Sequence, residues 1–235
     1  MHATLPLMQR YGFPAIRRRR LETLQVNLGY RCNQSCLHCH VNAGPNRTEQ
    51  MSSQTITDVL AFVEVAGVEK LDLTGGAPEL NPHFRDLVLR ARELGVHVMD
   101  RCNLTILEEP GQEGLAEFLA GQQVEVIASL PCYQEANVDR QRGSGVFAKS
   151  LRALARLNAL GYATSGSGLE LSLVYNPQGA VLPPPQAQLE ADYRRELGQD
   201  HRASLRARDV GDRQRSGLRW YVEFPTRIGG AAPIA

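Results

Sequence analysis

Leu24-Gln-Val-Asn-Leu28, followed at once by Gly29-Tyr-Arg-Cys-Asn-Gln-Ser-Cys-Leu-His-Cys39, is a short apolar run that opens into three cysteines at spacing C-x3-C-x2-C. A strand feeding straight into a reactive loop is the habit of parallel α/β sheets, where chemistry gathers beyond the C-terminal ends of the strands. Three thiolates so spaced can grip three corners of a 4Fe–4S cube and leave the fourth iron without a protein ligand. Four-cysteine ligation leaves no such open position. Cys32, Cys36 and Cys39 are therefore the candidate metal ligands. Two other metals use similar residues. Cys36-Leu-His-Cys39-His40 spells C-x-x-C-H, the spacing for haem attachment, but that reaction belongs outside the cytoplasm and no export signal is read here. The three cysteines with His40 also suit a closed zinc site, although zinc ligands usually arrive as two separated pairs.

Working outward, the strand-then-helix alternation repeats. Strands are expected at Leu24–Leu28, Lys70–Thr74, Val96–Asp100, Val124–Ser129 and Leu169–Tyr175. Helices are expected at Ser52–Ala66 with Ser52 or Ser53 as N-cap, and at Asn81–Leu94, capped by Asn81 with Pro82 in its first position. Further helices are expected at Gln112–Ala120, at Phe147–Leu160 closed by Gly161, and at Ala187–Leu197. This order predicts an α/β fold with a parallel sheet.

Composition narrows the function classes. The chain has 235 residues, 43% of them hydrophobic, enough for one large domain with a sizeable core. A formal net charge of +1 provides no global field to recruit nucleic acid or a membrane surface. Arg17–Arg20 reads as a solvated basic patch, because no long apolar run follows it. Five cysteines, three of them clustered, fit a reducing compartment better than a disulfide framework, so a cytoplasmic protein is expected.

The chemistry-bearing residues fall at predicted strand ends. Gly75-Gly76, with Pro78 and Glu79, follows the second strand, and glycines there let backbone approach a ligand closely. Asn103 follows the third strand and Ser129 ends the fourth; both are short polar groups suited to ribose or carboxylate contacts, or to turn capping, and Asn176 after the fifth is a further cofactor-binding candidate. Cys102 and Cys132 also follow strands. A free cysteine is commonly a small buried hydrophobe, but two thiols at this face would line it with soft ligands.

The cysteine loop and the Gly-Gly-x-Pro element together resemble the radical S-adenosylmethionine (SAM) superfamily. That resemblance implies a partial (β/α)6, TIM-like barrel, of which five βα units are readable and the sixth is doubtful. It implies a 4Fe–4S cluster on Cys32, Cys36 and Cys39, with His38 packing near the adenine of SAM and the Gly75–Gly76 edge accepting a hydrogen bond from its amino group. It further implies reductive cleavage of SAM to methionine and a 5′-deoxyadenosyl radical, fed by a one-electron donor such as flavodoxin or ferredoxin. A closer resemblance lies in Leu21-Glu-Thr-Leu-Gln-Val-Asn27, Leu73-Thr-Gly-Gly-Ala-Pro-Glu79, Asp100-Arg-Cys-Asn-Leu-Thr105, Ser129-Leu-Pro-Cys-Tyr133, Asn137-Val-Asp-Arg-Gln-Arg-Gly143 and Leu173-Val-Tyr-Asn-Pro177. These segments look like the radical SAM proteins assigned to arsenosugar biosynthesis, which implies a small-molecule substrate, a methylated arsenical, with Cys102 and Cys132 beside it. Other readings are a radical SAM enzyme that modifies a peptide or cofactor, and a non-catalytic remnant that binds a cluster or zinc.

The resemblance covers residues 21 to 197. It gives a division into an N-terminal extension (1–20), a radical SAM core (21–199) and an Arg-rich tail (200–235). Family members continue into a cysteine-containing C-terminal region, whereas no cysteine follows Cys132 here. Of the 26 basic residues only Lys70 and Lys149 are lysine, which points to a GC-rich genome. The tail reads as an out-of-frame stretch of such a genome, or else as a genuine basic segment. Trp220-Tyr-Val-Glu-Phe224 and the weaker Ala203–Val210 are the candidates for a sixth strand, and an open edge on the fifth strand is the expectation.

Overall fold

A computed structural model describes residues 5–12, 14, 20–177, 183–200 and 218–222. A short helix, α1 (Leu5–Arg10), precedes β1 (Thr23–Asn27), α2 (Ser53–Ala66), β2 (Lys70–Thr74), α3 (Phe84–Glu93), β3 (His97–Asp100), α4 (Leu115–Gly121) and β4 (Glu125–Ser129). The chain continues through α5 (Glu135–Arg142), α6 (Val146–Ala159), β5 (Leu171–Tyr175), α7 (Gln186–Asp200) and β6 (Leu218–Val222). All six strands form one parallel sheet in sequential order, β1 to β6. Parallel pairing requires each connection to return the chain to the start of the sheet, and a helix stands between every two successive strands. The architecture is the partial TIM-like barrel expected.

Strands β2 to β5 were readable because both of their faces are largely buried. In β2, Leu71 and Leu73 are fully buried with the main core, whereas Asp72 between them turns to the other face. Met99, Ile127 and Val174 form a second, small cluster separate from the main core. Helix periodicity matches this layering. In α3, Phe84, Leu87, Val88 and Ala91 are all buried, and each large side chain contributes about 1.5–3 kcal/mol. Helix α2 is stopped at both ends by side-chain chemistry: Ser52 Oγ accepts from Thr55 N, and Gly67 adopts the left-handed conformation at φ 61°.

Three expectations are corrected. Asn81 does not cap α3, which starts at Phe84. Its amide instead donates to the carbonyls of Leu28 and Met51, at 3.0 Å each, and so joins the two ends of the cysteine loop. Helix α5 was not foreseen, because Glu135-Ala-Asn-Val-Asp-Arg-Gln-Arg142 has no apolar stripe. The fifth strand is not open: Leu171–Tyr175 pairs along its length with Leu218–Val222, two residues before the anticipated run ends. Residues 1–4, 15–19, 201–217 and 223–235, including Ala203–Val210 and most of the basic runs, lie outside the described residues. Among the described residues no helix is long and apolar enough to cross a membrane.

Candidate active site

The cysteine loop is tied down by its own backbone. Tyr30 N donates to Glu49 O, Cys32 N to Gly44 O and Gly44 N to Tyr30 O, while Met51 N returns to Leu28 O. The loop then lies across the exit of β2, where Gly76 N and Ala77 N donate to the carbonyls of Gly29 and Arg31 at 2.9 Å. This contact explains the glycine pair. A Cβ on Gly75 would sit 2.5 Å from Gly29 O, and one on Gly76 would sit 2.4 Å from Arg31 O. Gly75 also holds φ 144°, which side-chain-bearing residues rarely adopt. The glycines thus admit the neighbouring loop, a reason local sequence does not reveal.

All three cysteines line one cavity of about 120 Å3, open to solvent, together with His38, His40, Gly75, Gly76, Asn103 and Ser129. The thiols are unpaired, and Cys32 is the buried one. Burial pushes the Cys32 thiol up to about 11, while the amide of Gln34, 3.4 Å from its sulfur, acts in the opposite direction. Asn103 Nδ2 also reaches that sulfur at 3.6 Å, and Ala43 N donates to Cys39 Sγ at 3.2 Å. These N–H donors aim at sulfur, as befits thiolates carrying negative charge on a metal. Three convergent thiols, sulfur-directed donors and an open cavity fit a cluster held at three corners.

Asn103 is positioned by strain. Thr105 N donates back to Asn103 O across Leu104, which sits at φ 65°, ψ −47° in a tight γ-turn that a bulky residue rarely enters. Leu104 is fully buried, and Ile106 N and Thr105 Oγ1 both bond Asn103 Oδ1, so the turn is over-determined. Ser129 lines the cavity, and its carbonyl accepts from Arg142.

Sequence reasoning missed the buried cation of this site. Arg142, at the end of α5, lines the cavity and donates to Gln34 Oε1 at 2.8 Å, to Asn103 O at 3.3 Å and to Ser129 O. One guanidinium therefore joins the cysteine loop to the exits of β3 and β4. All three acceptors are neutral, so its charge faces the cavity uncompensated by them. Asp139, on the same helix, accepts from Gly145 N and Phe147 N and so holds the start of α6. Arg101 was missed too; it lines the cavity and is gripped through two nitrogens by Asp72, which Gln25 also contacts. The signal for Arg142 was its place in the Asn137–Gly143 segment.

The structure does not bring every candidate to the cavity. Pro78 and Glu79 are buried beneath it, and Asn176 lies beyond its lining with Oδ1 buried and unpartnered. Cys102 and Cys132, expected at the mouth, do not line it. Cys102 is fully buried beside Glu79 and Asp100, and Cys132 accepts from Asn137 Nδ2 at 3.6 Å. Arg101 and Asn103 on either side of Cys102 line the cavity, so Cys102 between them turns to the opposite side, as alternation along an extended chain dictates.

The model of the Radical SAM superfamily matches residues 26–169. Mycofactocin maturase MftC of Mycobacterium ulcerans is 32% identical over 140 residues, 60% of this chain and 37% of that protein. A probable GTP 3′,8-cyclase of Methanothermobacter marburgensis is 30% identical over 93 residues, 39% of this chain and 30% of that protein. The chain thus spans less than half the length of these curated relatives. Among solved structures, Streptococcus suis SuiB bound to S-adenosylmethionine superposes with a TM-score of 0.63 at 11% identity, covering 96% of this chain and 45% of that one. Native anSMEcpe with bound AdoMet gives 0.57 at 15% identity, over 86% and 52% of the two chains. At such identity the likeness is one of fold.

Proposed function

The chain belongs to the radical SAM superfamily, and on that premise we propose that it cleaves SAM reductively at a 4Fe–4S cluster held by Cys32, Cys36 and Cys39. The observation that supports this most is the convergence of the three thiols on one cavity with the Gly75–Gly76 backbone. When bound, the cluster supplies the electron that breaks a carbon–sulfur bond of the SAM sulfonium. This chain's residues orient and enclose. Gly75 and Gly76 keep the strand edge free of side chains, His38 and His40 border the opening, and Asn103 and Ser129 offer polar contacts from two strand ends. Arg142 brings a buried positive charge that suits the carboxylate of SAM or the net negative charge of a thiolate-ligated cluster.

For the substrate, modification of a peptide-derived or cofactor-type molecule is the reading favoured by the similarity to a mycofactocin maturase. A methylated arsenical is the second reading. Its support is that two segments carrying that resemblance, Asp100–Thr105 and Asn137–Gly143, deliver Arg101, Asn103 and Arg142 to the cavity. The soft-thiol argument for arsenic no longer contributes, because Cys102 and Cys132 lie off the lining.

Anaerobic reconstitution tests the proposal. The protein should take up close to four irons per chain, and SAM should perturb the spectrum of the reduced cluster. Replacing any one of Cys32, Cys36 or Cys39 by Ala should abolish both, with the fold intact by circular dichroism. Tightly bound zinc with no iron uptake would sink the reading. Turnover of methylated arsenicals, set against precursor peptides, then separates the two substrates.

A further inference from the structure

Behind the cavity, three acidic groups meet out of reach of water. Glu79 comes from the turn after β2, Asp100 ends β3 and Cys102 follows two residues later. One donor atom of each lies within 4.8 Å of the other two. Asp100 and Cys102 are fully buried and Glu79 is 5% exposed. None of the four carboxylate oxygens has a hydrogen-bond partner outside the cluster, and burial pushes both carboxyls up toward their protonated forms, in which they bond only one another and Cys102. The neighbouring Tyr162 spends its hydroxyl proton on Val124 O at 2.8 Å, so it cannot serve them. Paired buried carboxylates left in this state are strongly disfavoured, and native interiors satisfy such groups with a partner, an ion or water.

We propose that Glu79, Asp100 and Cys102 form a second metal site, structural in role, for a divalent ion of the zinc class. The span is close to what an ion needs: tetrahedral bonds of ~2.0–2.3 Å set ligands ~3.3–3.8 Å apart, so donors within 4.8 Å of one another need draw in by no more than about 1–1.5 Å. The donor set chooses the ion. Magnesium and calcium take oxygen ligands and avoid thiolates, purely soft ions want more sulfur, and zinc accepts both. Binding replaces the S–H bond of Cys102 by a sulfur–metal bond and releases the thiol proton to solvent, together with the proton that the buried carboxyl pair holds. Two carboxylates then supply the oxygens, with a second oxygen of either one available as the fourth ligand. The site is separate from the cluster cysteines, since none of its three residues lines their cavity. It would nonetheless fasten the turn that carries Gly75 and Gly76 to the turn that carries Asn103, the two elements that flank Cys32.

The test uses the full chain with Cys32, Cys36 and Cys39 all changed to Ala, so that no cluster ligand competes. After equilibration with Zn2+ and desalting, about one zinc per chain is expected, the stoichiometry of a single closed site. Co2+ in its place should show thiolate-to-metal charge-transfer absorption. Adding Asp100→Asn or Cys102→Ser should weaken zinc binding about tenfold or more and remove the zinc-dependent rise in melting temperature. Elemental analysis of the cluster-loaded wild type gives a second measurement: zinc should accompany iron, and Asp100→Asn should lose the zinc while iron persists. A folded triple variant that takes up no zinc would overturn the proposal. So would zinc uptake indifferent to Asp100→Asn and Cys102→Ser, which would assign the ion to the exposed histidines or Cys132.

Discussion

At Gly76 a single hydrogen atom decides whether the cysteine loop can dock. A methyl group there would meet Arg31 O at 2.4 Å and Ala43 Cβ at 3.0 Å, and the first of these is backbone that cannot swing aside. Gly76→Ala is expected to displace the loop, lower stability by about 1–3 kcal/mol and reduce the iron retained after gel filtration. Chemical denaturation read beside iron content checks this; unchanged iron retention would show that the loop tolerates the shift. The glycine pair was legible in the sequence, but its physical reason was not. Close approach to a ligand was expected, whereas the atoms that forbid a side chain belong to Gly29 and Arg31. Arg142 was illegible for a related reason. A buried arginine looks like any surface arginine until the three turns that accept its hydrogen bonds are folded around it.

Among the elements, strands were read within a residue or two at each end, because runs such as Val126–Ala128 are buried on both faces and leave little room for polar residues. Helices with an apolar stripe, α2, α3 and α6, were equally plain. Helix α5 was invisible because its buried residues are Val138, Gln141 and Arg142, two of them polar and one of those employed in the cavity. Asn81-Pro82 misled because that pair is the common signature of a helix start, whereas the asparagine amide is committed to carbonyls 53 and 30 residues away. Asn81→Ala would remove both bonds at a buried position. A loss of about 2–3 kcal/mol is expected, at roughly 1 kcal/mol or more per bond, measurable as a lower urea midpoint with an unchanged slope. A loss below about 0.5 kcal/mol, the range of ordinary surface substitutions, would show that the clamp contributes little.

For the molecule as a whole, β6 matters more than its five residues suggest. It pairs with every residue of β5, and without it the hydrogen-bonding groups along that side of β5 would face solvent. A chain ending at Asp200 is therefore expected to scatter more light at equal concentration than the full chain, and to unfold at lower temperature. Equal behaviour of the two would mean that β6 does not protect the edge in solution. The sixth unit was hard to read because the stretch before it is charged and interrupted by glycine; the candidate run Trp220–Phe224 overlaps β6 only over Trp220–Val222. A different consequence follows from the way the cysteine loop is fastened. Its ends are bridged between Gly29 and Gln50 and between Arg31 and Gly44, and Asn81 and Arg142 hold it from two sides, all without using a thiol. The expected order of assembly is scaffold first, inorganic cargo second. Amide exchange in iron-free protein should then find Tyr30, Cys32 and Gly44, whose N–H groups are all bonded within the loop, already slow; exchange there as fast as in an unfolded chain would mean that the cargo builds its own berth.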